Sequence, residues 1–214
     1  MSTIAIVDYG MGNLFSVAHA LQAAAPAAHV LLARDCSAIL QADRVVLPGQ
    51  GAMPDCMQHL HHSGLLPAVL HAAANKPLLG ICVGEQMLFE SSEEGPSTCL
   101  GLFQGTVRRF NTEQNVTFPQ GKPLIKVPHV GWNRVHQCKA HPLWHNIESG
   151  AYFYFVHSYF ADPVHATDNA ACSYYGVGFT SAIAKANIFA VQFHPEKSAK
   201  NGLQLFRNFT YWKP

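Results

Sequence analysis

The sequence predicts an α/β fold: a mixed, largely parallel central sheet flanked by helices, with a smaller antiparallel sheet in its second half. Two observations carry this. Up to about residue 86, apolar runs of strand length alternate with helical patterns, the βαβα order that needs right-handed crossovers and covers a sheet on both faces. From about residue 105 the texture changes to shorter strand-like runs separated by Gly, Asn and Asp.

In chain order, "IAIV" (4–7), "HVLLA" (29–33), "RVVLP" (44–48) and "PLLGI" (77–81) are short, mostly aliphatic and bounded by Gly, Pro or Asp, as buried parallel strands are. Helical patterns occupy 13–25, 38–43 and 53–75, the last broken near Gly64 and Pro67. Beyond them "GTVRRF" (105–110), "KPLIKV" (122–127), "AYFYFVHSYF" (151–160), "ACSYYG" (171–176), "SAIAKA" (181–186) and "IFAVQF" (188–193) read as strands. An amphipathic helix closes the chain at 201–212. No repeat, low-complexity tract or flexible linker interrupts the pattern, so 1–214 is expected to form one domain.

Composition narrows the class of function. The hydrophobic content of 49% supplies a sizeable core. Fourteen basic and 13 acidic side chains are scattered and leave a net charge of +1, with no footprint for nucleic acid or an anionic membrane surface. No stretch approaches the ~20 apolar residues that span a bilayer, and "MSTIAIVDYG" lacks the regions of a secretory leader, so the expected location is cytoplasmic. Six widely spread cysteines without a C-x-x-C pair are expected to stay reduced.

Chemistry enters at "LLGICVGEQ" (78–86). In G-x-C-x-G a strand leaves the sheet, turns sharply and becomes a helix, and the flanking glycines allow the close approach such an elbow needs. Cys82 would project above the carboxyl edge of the sheet, where helix N-terminal amides favour thiolate and the Val83 amide can meet an oxyanion. Spacing alone leaves open a small buried hydrophobe at a strand end. A second stretch, "AVQFHPEKS" (190–198), ends a strand in His194-Pro195-Glu196: an imidazole to hold or move the thiol proton, a carboxylate to fix its tautomer, and a proline that stiffens the turn. Alone it would read as a surface turn. A third, "LPGQGAMPD" (47–55), places Gln50 between two glycines, so that its amide can complete the hole, although standing alone it would be an ordinary βα turn. Gln86, one helical turn after Cys82, lies over the elbow and suits the polar end of a substrate.

With these residues the chain resembles the class I glutamine amidotransferases, and within them the glutaminase subunits of imidazole glycerol phosphate synthases. The superfamily is marked by Gly80-Ile81-Cys82-Val83-Gly84-Glu85-Gln86 and His194-Pro195-Glu196, the subfamily by "VPHVGWN" (127–133) and "YFVHSYF" (154–160). The resemblance extends over "DYGMGN" (8–13), "LPGQGAM" (47–53) and "LFESSEEG" (88–95), nearly the whole chain. It implies a flavodoxin-like sheet and a Cys82-His194-Glu196 triad. It further implies an oxyanion hole from the Gln50 and Val83 backbone, and glutamine held by Gly51, Gln86, His157, Ser158 and Tyr159. No cofactor or metal is expected. The implied reaction is hydrolysis of glutamine through a glutamyl thioester, with ammonia delivered to a (β/α)8-barrel cyclase subunit in a heterodimer. That cyclase would make imidazole glycerol phosphate and an aminoimidazole carboxamide ribotide.

Two departures from the family pattern bear on activity. Gln50 stands where the family commonly has Val, and Val83 and Glu85 where it commonly has Leu and Met. Glu85 suits the helix dipole but opposes a thiolate at Cys82 if it points inward. A high activity without a cyclase would point instead to another amidotransferase or a free-standing cysteine hydrolase, and no activity under any condition to a regulatory subunit. "HLHHS" (59–63) lacks Cys or carboxylate at ligand spacing and reads as a solvated helix face. "DYGMGN" has Phe15 where a third nucleotide-loop glycine would fall and reads as a βα turn. Trp132 reads as core or docking surface, and Lys197 as a solvated charge or an ion-pair donor to a partner.

Overall fold

A computed structural model describes residues 2–111 and 125–214. The first half follows the alternating pattern: β1 Thr3–Val7, α1 Leu14–Ala24, β2 His29–Ala33, α2 Cys36–Gln41, β3 Arg44–Gly49, α3 Met53–His62, α4 Leu66–Asn75, β4 Leu78–Cys82 and α5 Val83–Gln86. The break between α3 and α4 falls where Gly64 takes φ +72° and Pro67 occupies the first turn of α4. Asp35 caps α2, its carboxylate accepting from the Ala38 amide at 2.9 Å.

The remaining strands are β5 Ser91–Ser92, β6 Ser97–Thr98, β7 Gly105–Arg109, β8 His129–Gln137, β9 Ala151–His157, β10 Tyr159–Pro163, β11 Asn169–Tyr175, β12 Val177–Lys185 and β13 Ile188–Val191, with α6 Ala199–Tyr211 closing the chain. The strand expected at 122–127 falls in part outside the described residues, and its described end, 125–127, is not in a strand.

Among the described residues nine strands form one sheet in the order β2-β1-β3-β4-β13-β12-β11-β8-β9. The pairings from β2 to β13 are parallel, and those from β13 to β9 antiparallel. The sheet is therefore mixed, as the sequence predicts. Most of the short second-half strands extend it rather than building a separate layer. The smaller sheet is β10-β7-β5-β6, antiparallel except where β5 meets β7. The single strand expected at 151–160 is two elements in two sheets. The chain leaves β9 at His157, bends at Ser158 and joins β7 from Tyr159.

The strands β3, β4 and β13 are buried on every residue, which is why they read as continuous apolar runs instead of alternating ones. Helix α1 packs on α6, and α2 on α4. Among the described residues no helix is long and apolar enough to cross a membrane.

Candidate active site

Strand β4 ends at Cys82, which caps α5 with φ +56° and ψ −115°, a region that L residues rarely occupy. Close packing holds this elbow in place. A Cβ on Gly84 would lie 2.0 Å from the Leu47 carbonyl oxygen, and one on Gly49 would lie 2.5 Å from the Gly84 nitrogen, so β3 and the elbow touch backbone to backbone. The helix that follows is one turn long, because after Gln86 the chain turns away toward β5. A helix this short carries little macrodipole.

His194 stands three residues past β13, at the mouth of a 3-10 turn spanning Pro195–Lys197. Its amide donates to the Tyr154 carbonyl at 2.9 Å; the Ser198 hydroxyl accepts from the Tyr154 amide at 3.0 Å and donates to the His194 carbonyl at 2.6 Å. The turn is thus stitched to β9. His194 Nδ1 donates to Glu196 Oε1 at 2.8 Å, and Asn13 Nδ2 adds a 3.4 Å contact to the same oxygen. Both ring and carboxylate are buried. The other ring nitrogen, Nε2, is left for Cys82. Burial lowers the His194 pKa, but the charge and hydrogen bonding of Cys82 and Glu196 outweigh it and lift the value to about 10.

A cleft of about 290 Å³ opens over the elbow. Gln50, Gly51, Cys82, Val83, Gln86, His157, Ser158, Tyr159 and His194 all line it, and Glu196 sits behind His194. Residues from the turn after β3, the β4–α5 elbow, the β9–β10 bend and the segment after β13 therefore meet at one place. Glu94, Pro128, Val156 and Lys197 line it too. No group of three or more His, Cys, Asp or Glu among the described residues is placed to hold a metal ion. His59, His61 and His62 are exposed at the end of α3.

A family model described as glutamine amidotransferase class-I matches residues 5–212. The chain belongs to the class I glutamine amidotransferases. It is 56% identical to "Imidazole glycerol phosphate synthase subunit HisH" of Dechloromonas aromatica (strain RCB), over 99% of this chain and 97% of that one. It is 56% identical to the protein of the same name from Nitrosospira multiformis, over 100% of both chains. Among solved structures, PurLQS of Thermotoga maritima shares the fold with a TM-score of 0.71 at 16% identity, covering 97% of each chain. A putative GMP synthase component from Thermoplasma acidophilum gives 0.69 at 21%, covering 98% of this chain and 92% of that one. As a class I glutamine amidotransferase the chain is a glutaminase.

In this amidotransferase Glu85 does point inward: it is fully buried, and neither carboxylate oxygen has a hydrogen-bond partner. Burial, with the neighbouring charge of Cys82 as a smaller cause, raises its pKa well above the carboxylate range. The shift favours the neutral acid and weakens the opposition to a thiolate expected from its charge.

Two polar chains around the cleft were not legible in the sequence. Glu94 caps α3, its carboxylate accepting from the Met53 amide at 2.8 Å. His157 Nδ1 donates to the Tyr159 carbonyl at 2.8 Å, so its Nε2 accepts from His129 Nδ1, also at 2.8 Å. Both rings are neutral: burial lowers the His157 pKa to about 3 and that of His129 to about 4. The Glu94–Met53 and His157–His129 links join residues 41 and 28 apart in sequence and leave no local pattern.

Proposed function

We propose that residues 1–214 act as one glutaminase domain, the ammonia-producing subunit of an imidazole glycerol phosphate synthase, with Cys82, His194 and Glu196 as its triad. The observation that carries this reading is the meeting of the elbow cysteine with a Glu-anchored imidazole in one cleft, in a chain 56% identical to two HisH proteins.

The Cys82 sulphur attacks the side-chain amide carbon of glutamine, forming a C–S bond while the carbonyl becomes an oxyanion. The Gln50 and Val83 amides receive that oxyanion. His194, held as imidazolium by the sulphur and by Glu196, gives its proton to the amide nitrogen; the C–N bond breaks and ammonia leaves. The glutamyl thioester remains. His194 then takes a proton from water, hydroxide adds to the thioester carbon, and the C–S bond breaks to release glutamate and restore the thiolate–imidazolium pair.

Gly51, Gln86 and the 157–159 segment hold glutamine. Both ring nitrogens of His157 are committed inside the protein, so its part is to shape the wall. Ammonia passes to a (β/α)8-barrel cyclase subunit, which builds imidazole glycerol phosphate in histidine biosynthesis, in the cytoplasm. A face suited to that subunit lies beside the cleft. Val130, Trp132 and Arg134 of β8 pair directly with Val156, Tyr154 and Tyr152 of β9, and Trp132 remains 53% exposed.

The test is glutamate release from glutamine by the protein alone, then with a purified barrel cyclase and its nucleotide ligand. Strong activation by the liganded cyclase, absent in Cys82→Ala, is the expected result. Equal turnover with and without the cyclase would remove the synthase assignment.

A further inference from the structure

Gln192 lies between β13 and His194 and is fully buried. Its carboxamide bridges the Gln86 carboxamide and the nucleophile: Oε1 accepts from Gln86 Nε2 at 2.7 Å, and Nε2 stands 3.8 Å from Cys82 Sγ. Carboxamide oxygen and nitrogen are alike in shape, so an unambiguous neighbour has to set the direction. The Tyr159 main-chain carbonyl does so. A carbonyl only accepts, so the Gln86 atom 3.0 Å from it is the nitrogen. That nitrogen has a second N–H for Gln192, whose facing atom is therefore oxygen. The Gln192 nitrogen is left against the sulphur.

We infer that Gln192 is a positioning residue for the nucleophile: its N–H donates to Cys82 Sγ, and its direction is set by the Tyr159 carbonyl through Gln86. A donor on an anionic sulphur is a charge-assisted bond, stronger than the same contact to a neutral thiol. It therefore favours the thiolate and holds the side chain in one rotamer opposite His194. Tyr159 belongs to the cleft wall, so a shift of that wall turns the relay and with it the donor. The inference rests on Cys82 being the nucleophile and adds a group that triad chemistry does not name.

Gln192→Met keeps chain length and removes the donor. Gln192→Glu keeps the shape, still accepts from Gln86, and sets an oxygen against the sulphur. The readout is peptide-resolved alkylation of Cys82 by iodoacetamide between about pH 5 and about pH 9, with Cys82→Ser as blank, beside kcat and KM for glutamine in the cyclase complex. Alkylation near neutral pH is expected to slow about tenfold in Gln192→Met and further in Gln192→Glu, with the profile displaced to higher pH. The kcat falls in parallel while KM stays within about twofold. Gln86→Met, one step back along the relay, moves alkylation the same way by less. A residue that only fills space would alter melting and leave the pH position of the profile untouched. Wild-type alkylation profiles in Gln192→Met and Gln192→Glu, both folded, would overturn the inference. Alkylation needs no glutamine. A wild-type protein that never releases glutamate would thus sink the glutaminase reading while this experiment still decides on Gln192.

Discussion

Glu85 is a carboxylic acid in a place whose surroundings suit an apolar side chain, and it shows how one residue departs from the logic of its neighbours. Leaving a buried polar group unpaired costs about 1–3 kcal/mol, and here both oxygens are unpaired. Replacement by the unbranched Met removes that cost at little change in volume, so Glu85→Met is expected to raise the melting temperature by several degrees. The pH dependence has a definite sign. Below the unfolded value of about 4.3 both states hold the proton; above it the unfolded chain ionises while the raised folded value keeps the native acid neutral. Wild-type stability is therefore lost as pH rises, and the gain from Glu85→Met should be larger at pH 8 than at pH 5. Melting curves at the two pH values check this, and an equal gain at both would show that Glu85 finds a partner after all.

At the scale of elements, the elbow between β4 and α5 depends on glycines more than on the cysteine it presents. Gly84→Ala would bring a methyl group to 2.0 Å from the Leu47 oxygen, a clash with backbone in a fully buried strand that no rotamer relieves. The expected outcome is a loss of at least about 3 kcal/mol or an insoluble product, whereas Gly64→Ala, strained by its φ of +72° but with open space around it, should cost about 1 kcal/mol. Denaturant midpoints of the two variants make the comparison. The β8–β9 pair has its own device, the His129–His157 rung on its inner face. Both rings have folded values below the unfolded 6.5, so each is neutral when folded and takes a proton when the chain unfolds in acid. Their contribution to stability is complete above about pH 6.5 and is lost as pH falls toward 4 and 3. In His157→Gln the urea midpoint should fall less steeply between pH 6.5 and 5 than in the wild type. An identical slope would mean that His157 takes up its proton alike in the folded and the unfolded chain.

Over the whole molecule, what the sequence disclosed and what it hid divide by the range of the interaction. Parallel strands, the break at Gly64 and the two halves of the proposed triad are written in short stretches, because burial on both faces, positive φ and a strand-end turn each leave a local mark. The split of 151–160 into two strands of two sheets left none, since β9 and β10 differ only in which distant strand each pairs with. Gln192 and Glu94 were hidden for the same reason: their partners lie 110 and 41 residues away. Trp132 could be read from sequence as core or as surface; the register decides, because β8 alternates and His129, not Trp132, faces the interior. The outward face made by Val130, Trp132 and Arg134 against Val156, Tyr154 and Tyr152 meets the cleft at Val156 and, through Lys197 stacked 5.8 Å over the Tyr154 ring, at the turn that carries His194. A partner seated there touches the site without entering it. An exposed indole at the centre of such a face is a typical hot spot, so Trp132→Ala should weaken binding to the proposed barrel cyclase by about 2 kcal/mol, roughly thirtyfold, at an unchanged melting temperature. Titration calorimetry measures the first quantity and thermal unfolding the second; undiminished affinity would move the docking surface to another face of the molecule.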